Sequence, residues 1–219
     1  NTYNNDWWKT LSIPQLGMSH NQTHYDVAVD LREGGRLAAT HLMSHGHRRI
    51  GFVSRSSGSG VLRRAGLEDA LVAAGLPFPS EWTFYWQHGE SDVEKLLRLI
   101  RTANITAFFT MNDFLAAALV QTLTRHGIRV PDDVAVIGFD GLSFVALTSP
   151  DLATIVQPVE QIAEQSVRLL LHRIGHGNGN RGEPLLLRPR LHPGGSCGCP
   201  PCHLHDNQYL MTLPETGMK

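Results

Sequence analysis

The residues best suited to chemistry lie near the end of the chain, where three cysteines are followed by histidines. The segment reads C-x-C-x-x-C-H, and its candidate metal ligands are Cys197, Cys199, Cys202 and His203. Thiolate and imidazole groups suit zinc and copper(I), and the spacing is short enough to close around one ion without a scaffold. The alternative is an ordinary linker. We favour the linker and therefore expect no metal and no cofactor.

A second pair of possible metal ligands, His41 and His45, is spaced one helical turn apart. Zinc-binding helices of the H-E-x-x-H type carry a glutamate directly after the first histidine. No glutamate follows His41 in this sequence. We therefore expect both histidines to be surface residues.

Two segments match parts of enzyme motifs, but their surroundings differ from those of working sites. Residues 194–198 fit the hydrolase pattern G-x-S-x-G, yet two prolines follow where a helix is needed. Residues 58–60 are similar to a dinucleotide-binding loop, yet Arg63 replaces the third glycine that lets the helix pack closely on the sheet. We expect neither catalysis nor a bound nucleotide cofactor.

The composition is that of an ordinary globular protein. The 219 residues include 42% hydrophobic and 18% charged residues, with a formal net charge of −1. Modules that grip DNA by themselves usually carry a basic face, whereas the densest basic run here is only His47-Arg48-Arg49. No apolar stretch reaches the roughly 18 residues of a membrane span. Since the cysteines are confined to residues 197–202 and no signal peptide is recognisable, we expect a cytoplasmic location.

Short apolar runs alternate with amphipathic stretches along the middle of the chain. The predicted strands are 50–53, 83–86, 107–110, 134–139, 154–156 and 185–191. The predicted helices are 61–74, 92–102, 114–126 and 159–174. This order predicts a three-layer α/β fold, in which a parallel sheet is flanked by helices. Ligands in such folds bind beyond the carboxyl ends of the strands, so a site is expected in the loops after residues 53, 86, 110 and 139.

Five motifs follow one another within residues 26–175. In chain order they are Gly34-Gly35 with His41-Leu42 and Gly46-His47-Arg48-Arg49-Ile50, then Arg63-Arg64-Ala65-Gly66, then Asn112-Asp113, then V-P-D-D-V-A-V-I-G-F-D at 130–140, then T-I-V-Q-P at 154–158. Together they resemble the effector-binding part of the lactose/galactose-repressor (LacI/GalR) family of transcriptional regulators. The resemblance implies a periplasmic-binding-protein-like clamshell of two lobes with the effector between them.

The resemblance also assigns ligand contact to side chains at or just after strand ends. These are Arg63, either Asn112 or Asp113, and Asp140. The chemistry agrees, since a guanidinium facing a carboxylate holds two vicinal hydroxyls or one polar ring edge by charge-assisted hydrogen bonds. Trp86, at the end of its strand, is a candidate to stack on a sugar ring or a base, with His88 as its rival.

Each of these candidates also has a purely structural interpretation. Arg63 would face solvent near a helix N-terminus, and Asp140 would serve only the turn that follows it. Asp113 would cap the next helix, which we favour, so that Asn112 is the better ligand candidate. Trp86 is equally well explained as a core residue.

Compared with the family, the chain carries no helix-turn-helix reader and only part of the first lobe. We predict that residues 1–30 are a remnant of that lobe with a partly disordered start, and that residues 31–192 form the effector-binding domain. Within this domain, one complete lobe is expected at about residues 46–153, and the partial lobe is made from both ends. Residues 193–219 are expected to form a flexible, cysteine-containing tail.

The sequence therefore predicts a domain that senses a sugar or nucleoside-like effector for a bacterial transcriptional regulator. Its predicted partners are a second copy of the chain, in a homodimer, and DNA reached through a reader domain outside this chain. The alternative is the sensor lobe of a multidomain signalling protein with an output module after the tail. A third interpretation is an enzyme of the nucleotide-binding α/β class.

Overall fold

The computed structural model describes residues 16, 26–56, 60–87, 89–176 and 183–200. The candidates His88, Cys202 and His203 lie outside these residues. The chain divides into a smaller unit, Asn1–Asp30 with Pro158–Leu187, and a larger unit, Leu31–Gln157 with Arg188–Lys219.

Strands and helices alternate through most of the described chain. The strands are β1 (Val27–Val29), β2 (Ile50–Ser54), β3 (Thr83–Tyr85), β4 (Ala107–Thr110), β5 (Ala135–Asp140), β6 (Ala153–Val156), β7 (Leu185–Leu187) and β8 (Arg190–His192). The helices are α1 (Leu31–Ser44), α2 (Val61–Ala73), α3 (Glu90–Ala103), α4 (Asp113–Arg125) and α5 (Val159–His176).

The larger unit contains a six-stranded sheet in the order β3-β2-β4-β5-β6-β8. The first five strands are parallel, and β8 runs antiparallel to β6. All residues of β2 and β4 are buried, as their unbroken apolar runs predict for strands covered on both faces. The predicted α/β fold with its mostly parallel sheet is confirmed.

Aromatic side chains build one face of this sheet. Phe52, Phe109 and Phe139 line up across β2, β4 and β5, with successive ring centroids 5.5 Å and 6.3 Å apart. Helix α1 packs directly on this row, because a Cβ added at Gly34 would lie 2.5 Å from the Phe139 ring. The row therefore packs between the sheet and α1.

In the described residues, the smaller unit contains β1, α5 and β7. Strands β1 and β7 are parallel, with Val27 opposite Leu185. A buried ion pair joins the helix to the start of β1, since the Arg173 guanidinium donates to both carboxylate oxygens of Asp26, one of them at 2.9 Å.

The strand predicted over residues 185–191 is wrong, because the chain forms two strands there. Strand β7 pairs with β1 in the smaller unit, whereas β8 pairs with β6 in the larger unit. Pro189 lies between them, and its missing N–H interrupts the ladder. The larger unit therefore extends beyond the complete lobe predicted at residues 46–153 and includes α1 and β8.

The prediction places the start of the flexible tail too early, at residue 193. Residues Gly195–Cys197 form a short 3-10 helix in which Ser196 and Cys197 are buried. The Ser196 hydroxyl donates to the Val136 carbonyl at 2.7 Å and accepts from the Ala153 backbone N–H at 2.9 Å. These bonds fix the segment at the amino ends of β5 and β6, because they satisfy buried backbone groups there.

Candidate functional site

Three neighbouring parallel strands, β2, β4 and β5, bring their carboxyl ends to one edge of the larger sheet. Arg63 lies in the first turn of the helix after β2, Asn112 two residues after β4, and Asp140 is the last residue of β5. The fold thus gathers the three candidates at the edge where such sheets bind ligands.

The Arg63 side chain is buried at this edge and bridges two strands. Its Nη1 donates to the Met111 carbonyl just after β4, and its Nη2 lies 3.4 Å from Oδ1 of Asp140. The guanidinium also lies over the Phe139 ring, 3.9 Å from the centroid, in a cation–π contact. The interpretation of Arg63 as a solvent-facing residue is wrong, because only 8% of the residue is exposed.

The donors of Arg63 are incompletely used. Its Nε is buried and has no hydrogen-bond partner among the residues that the structure describes. The 3.4 Å contact with Asp140 is long for a charge-assisted hydrogen bond. Burial without full pairing is costly for a guanidinium, so the site has unfilled capacity for an oxygen-rich ligand.

Asp140 combines strained backbone with a partly accessible carboxylate. Its φ of 115° lies in a region that L-residues rarely adopt, and such outliers concentrate at ligand sites. The carboxylate accepts a 2.7 Å hydrogen bond from Nε2 of Gln157, and the side chain is 23% exposed. Asp140 is therefore more than a turn residue, because its side chain links β5 to Arg63 and to the chain after β6.

Asp113 is fully buried beneath this edge. Its Oδ2 accepts the backbone N–H groups of Gly141 and Leu142, both at 2.8 Å, and its Oδ1 accepts the Thr154 hydroxyl. Gly138 makes room for the carboxylate, because a Cβ there would lie 2.3 Å from Oδ1. Burial, aided by the negative charge of Asp140, raises the pKa of Asp113 to about 6 despite these hydrogen bonds. Asp113 thus anchors the loop after β5.

The prediction that Asp113 caps α4 is wrong, because Asn112 is the N-cap. Its backbone is extended and its Oδ1 accepts from the Leu115 N–H at 2.9 Å. The Nδ2 amide of Asn112 makes no hydrogen bond within the described part of the chain. Asn112 therefore uses its side-chain oxygen to cap the helix, and its Nδ2 donors remain available.

Trp86 is buried in the core on the opposite face of the sheet from the phenylalanine row. Only 2% of it is exposed, and it packs in one cluster with Phe84, Leu96 and Leu119. This burial favours the core interpretation over the stacking one, because no ring face is open to a ligand.

The sequence analysis missed two groups at this edge. Gln157 orients the Asp140 carboxylate, and its place directly before Pro158 in the T-I-V-Q-P motif was an available signal. The Met111 carbonyl, which accepts from Arg63, is a backbone group and leaves no signal in residue types.

Comparison with known proteins places this geometry in a family. A sequence profile of the periplasmic binding protein-like domain matches residues 39–197. The chain belongs to this family. Within the family it is similar to the effector-binding domains of LacI/GalR-type regulators. The prediction made from the five motifs is confirmed.

One curated relative of this LacI/GalR-type domain is the HTH-type transcriptional repressor PurR of Mannheimia succiniciproducens. It is 36% identical over 163 residues, which are 73% of this chain and 48% of the repressor. The chain spans about half the length of the curated relatives it matches. These relatives are named as transcriptional regulators and not as enzymes.

Two solved structures show the same fold. A LacI-family sugar-binding transcriptional regulator from Escherichia coli, complexed with phosphate, has a TM-score of 0.72 at 27% identity, covering 87% of this chain and 70% of that one. A complex of the transcriptional regulator CelR with cellobiose has a TM-score of 0.69 at 31% identity, covering 84% and 57%. None of the helices in the described residues has the length and apolar character that a membrane span requires.

Proposed function

We propose that this chain is the effector-sensing part of a transcriptional regulator and that its effector is a small polyhydroxylated molecule, a sugar. The observation that carries the proposal is the buried Arg63 guanidinium facing Asp140 across the carboxyl ends of β4 and β5. The cellobiose complex of CelR and the sugar-binding regulator from Escherichia coli support the ligand class.

The arrangement of donors and acceptors fits a sugar. The Asp140 carboxylate accepts hydrogen bonds, whereas Arg63 and the Nδ2 amide of Asn112 donate them. Vicinal hydroxyls both donate and accept, so one pair bridges the guanidinium and the carboxylate. We propose binding without catalysis, because the described residues of the site offer orienting groups and no nucleophile activated by a base.

The signal would pass to DNA through a reader domain outside this chain. An effector that binds two conformations of the sensor with different affinity shifts the equilibrium between them, and operator affinity shifts with it. We also propose a homodimer, because palindromic operators match two-fold symmetric regulators, and a cytoplasmic location, because such a regulator acts on the chromosome.

The test is a thermal-shift screen of the chain against cellobiose, ribose, other pentoses and hexoses, nucleosides and purines. A ligand present at 100 times its dissociation constant stabilises the folded state by roughly 2.7 kcal/mol, which gives a measurable rise in melting temperature. We expect a sugar to give this rise and Arg63→Ala and Asp140→Ala to abolish it. Removing either partner should weaken calorimetric binding by at least about tenfold.

Matched controls exist in the same elements. Arg64→Ala removes a partly exposed neighbour of Arg63 on α2, and Asp132→Ala removes an exposed carboxylate ahead of β5. Both variants should bind the sugar as the parent chain does. Binding that survives Arg63→Ala and Asp140→Ala unchanged, or a response to purines and none to sugars, would contradict the proposal.

A further inference from the structure

Four metal-ligating side chains meet at the amino edge of the larger sheet. Nε2 of His41 lies 3.1 Å from Sγ of Cys197 and 3.5 Å from Sγ of Cys199, and Nε2 of His45 lies 3.4 Å from Sγ of Cys199. The ligand atoms of all four residues lie within 4.8 Å of one another. We name these four residues the His–Cys cluster.

The distances agree with those of a tetrahedral zinc site. With Zn–S bonds of about 2.3 Å and Zn–N bonds of about 2.0–2.1 Å, a nitrogen and a sulfur on the same ion are about 3.5 Å apart. The three nitrogen–sulfur distances in the cluster range from 3.1 to 3.5 Å. One ion at the centre of the cluster would therefore need only small side-chain movements.

Local structure, independent of any ion, brings the four side chains together. His41 and His45 are four residues apart at the end of α1, where the His45 N–H still bonds the His41 carbonyl at 3.3 Å, so both rings point the same way. On the other side, Ser196 fixes the 3-10 helix, and Gly198, with a φ of 86°, turns the chain between the two cysteines.

We propose that His41, His45, Cys197 and Cys199 bind a single zinc ion. Two thiolates and two imidazoles form a complete four-ligand set of the structural type and leave no position for substrate. The donor set excludes magnesium and calcium, which take oxygen ligands. Exposed His45 gives the ion an entry path, whereas Cys197 is buried. This pairing differs from the Cys197, Cys199, Cys202 and His203 set that sequence spacing suggested.

The ion would attach residues 195–199 to the end of α1. The His–Cys cluster lies at the amino edge of the sheet, opposite the carboxyl edge that carries Arg63. This inference is therefore independent of the proposed function. The Cys197 thiol donates to the Gly194 carbonyl at 3.1 Å. Zinc would take the Cys197 sulfur from this bond and hold it as a thiolate.

The experiment loads the chain with zinc under a phosphine reductant, removes unbound metal and counts bound zinc by elemental analysis. Cobalt(II) loading gives a second readout, because tetrahedral cobalt with thiolate ligands has intense visible and charge-transfer absorption. We expect about one zinc per chain and a higher melting temperature that a chelator reverses. Since loss of an outer-shell partner alone costs 10–100-fold in affinity, His45→Ala and Cys199→Ser should each weaken zinc binding by at least about 100-fold.

The controls separate this cluster from neighbouring candidates. Cys202→Ser and His203→Ala test the set suggested by spacing, and His47→Ala removes a nearby histidine that contacts Thr106. All three should retain zinc, and circular dichroism should show every variant folded. A chain that retains no zinc, a site that holds copper(I) and no zinc, or zinc lost in Cys202→Ser but kept in His45→Ala would overturn the proposal.

Discussion

At the scale of the residue, Asp113 shows how burial converts a carboxylate into a structural group. It is fully buried, and its carboxylate accepts hydrogen bonds from the backbone N–H groups of Gly141 and Leu142 and from the Thr154 hydroxyl. Its pKa is raised to about 6, first because burial disfavours the charge. The loop that presents Asp140 therefore rests on an acid whose pKa is raised by its burial.

This predicts a pH dependence of stability. The pKa of Asp113 is about 6 in the folded chain, against an ordinary value of 3.8. The stabilisation that protonated Asp113 adds to the free energy of unfolding is therefore fully present below about pH 4 and is lost as the pH rises through 6. At about 1.4 kcal/mol per pH unit, the loss approaches 3 kcal/mol. The free energy of unfolding, measured with urea between pH 4 and 7, should therefore decrease with rising pH in the parent chain. In Asp113→Asn this decrease should be absent.

A control for this prediction is Asp133→Asn. Hydrogen bonds from Arg129 lower the pKa of Asp133 to about 2, so this residue titrates below the range examined. Its variant should keep the slope of the parent chain between pH 4 and 6. Parallel curves for Asp113→Asn and the parent would disprove the assignment.

At the scale of the element, the crossing of α1 and α2 depends on two glycines. A Cβ at Gly66 would lie 1.8 Å from the Arg32 carbonyl oxygen, and one at Gly35 would lie 2.0 Å from the Arg63 carbonyl oxygen. Both contacts are with backbone atoms, so a change of side-chain rotamer cannot relieve the clash. The close crossing therefore sets the position of α2 and of Arg63 upon it.

We accordingly expect Gly66→Ala to separate the two helices. Overpacking of this kind costs about 1–3 kcal/mol in the free energy of unfolding, and the displaced Arg63 should weaken sugar binding. Gly175→Ala is the control, because nothing lies within 4 Å of a Cβ there and alanine favours a helix by up to about 1 kcal/mol. Equal unfolding midpoints for the two variants would contradict this role of the crossing.

The sequence analysis located most elements of the larger unit, because apolar runs and helical periodicity are local signals. Strand β4 begins and ends where the pattern predicted, and α2 differs by one residue. The division of residues 185–191 between two sheets was not predictable, because pairing partners are not encoded locally. The His–Cys cluster was missed for the same reason, since its halves are far apart in the chain, and the roles of Asn112 and Asp113 depended on which residue begins α4.

At the scale of the whole molecule, a buried ion pair joins two elements of the smaller unit. Arg173 and Asp26 are 9% and 7% exposed, and their bidentate contact joins α5 to β1. Breaking a buried pair leaves an uncompensated charge and costs about 3–5 kcal/mol. Arg173→Met should therefore speed amide hydrogen exchange in β1 and β7.

Arg168→Met is the control on the same helix, because Arg168 pairs with Glu164 at the surface and its side chain is 69% exposed. Surface pairs contribute at most about 1 kcal/mol, so exchange should change little. If Arg173→Met left the exchange of β1 unchanged, the pair would not be what stabilises the smaller unit.

The pairing of β1 with β7 also has a consequence in time. During synthesis, β1 leaves the ribosome before β2 to β6, yet its partner β7 follows all of these strands in the described residues. The continuous segment from α1 to β6 can begin to fold in the meantime, whereas β1 waits for a long-range contact whose closure is slow. The edge of β1 that pairs with β7 therefore stays unpaired until β7 has been made, which is the interval in which a chaperone would be of greatest use.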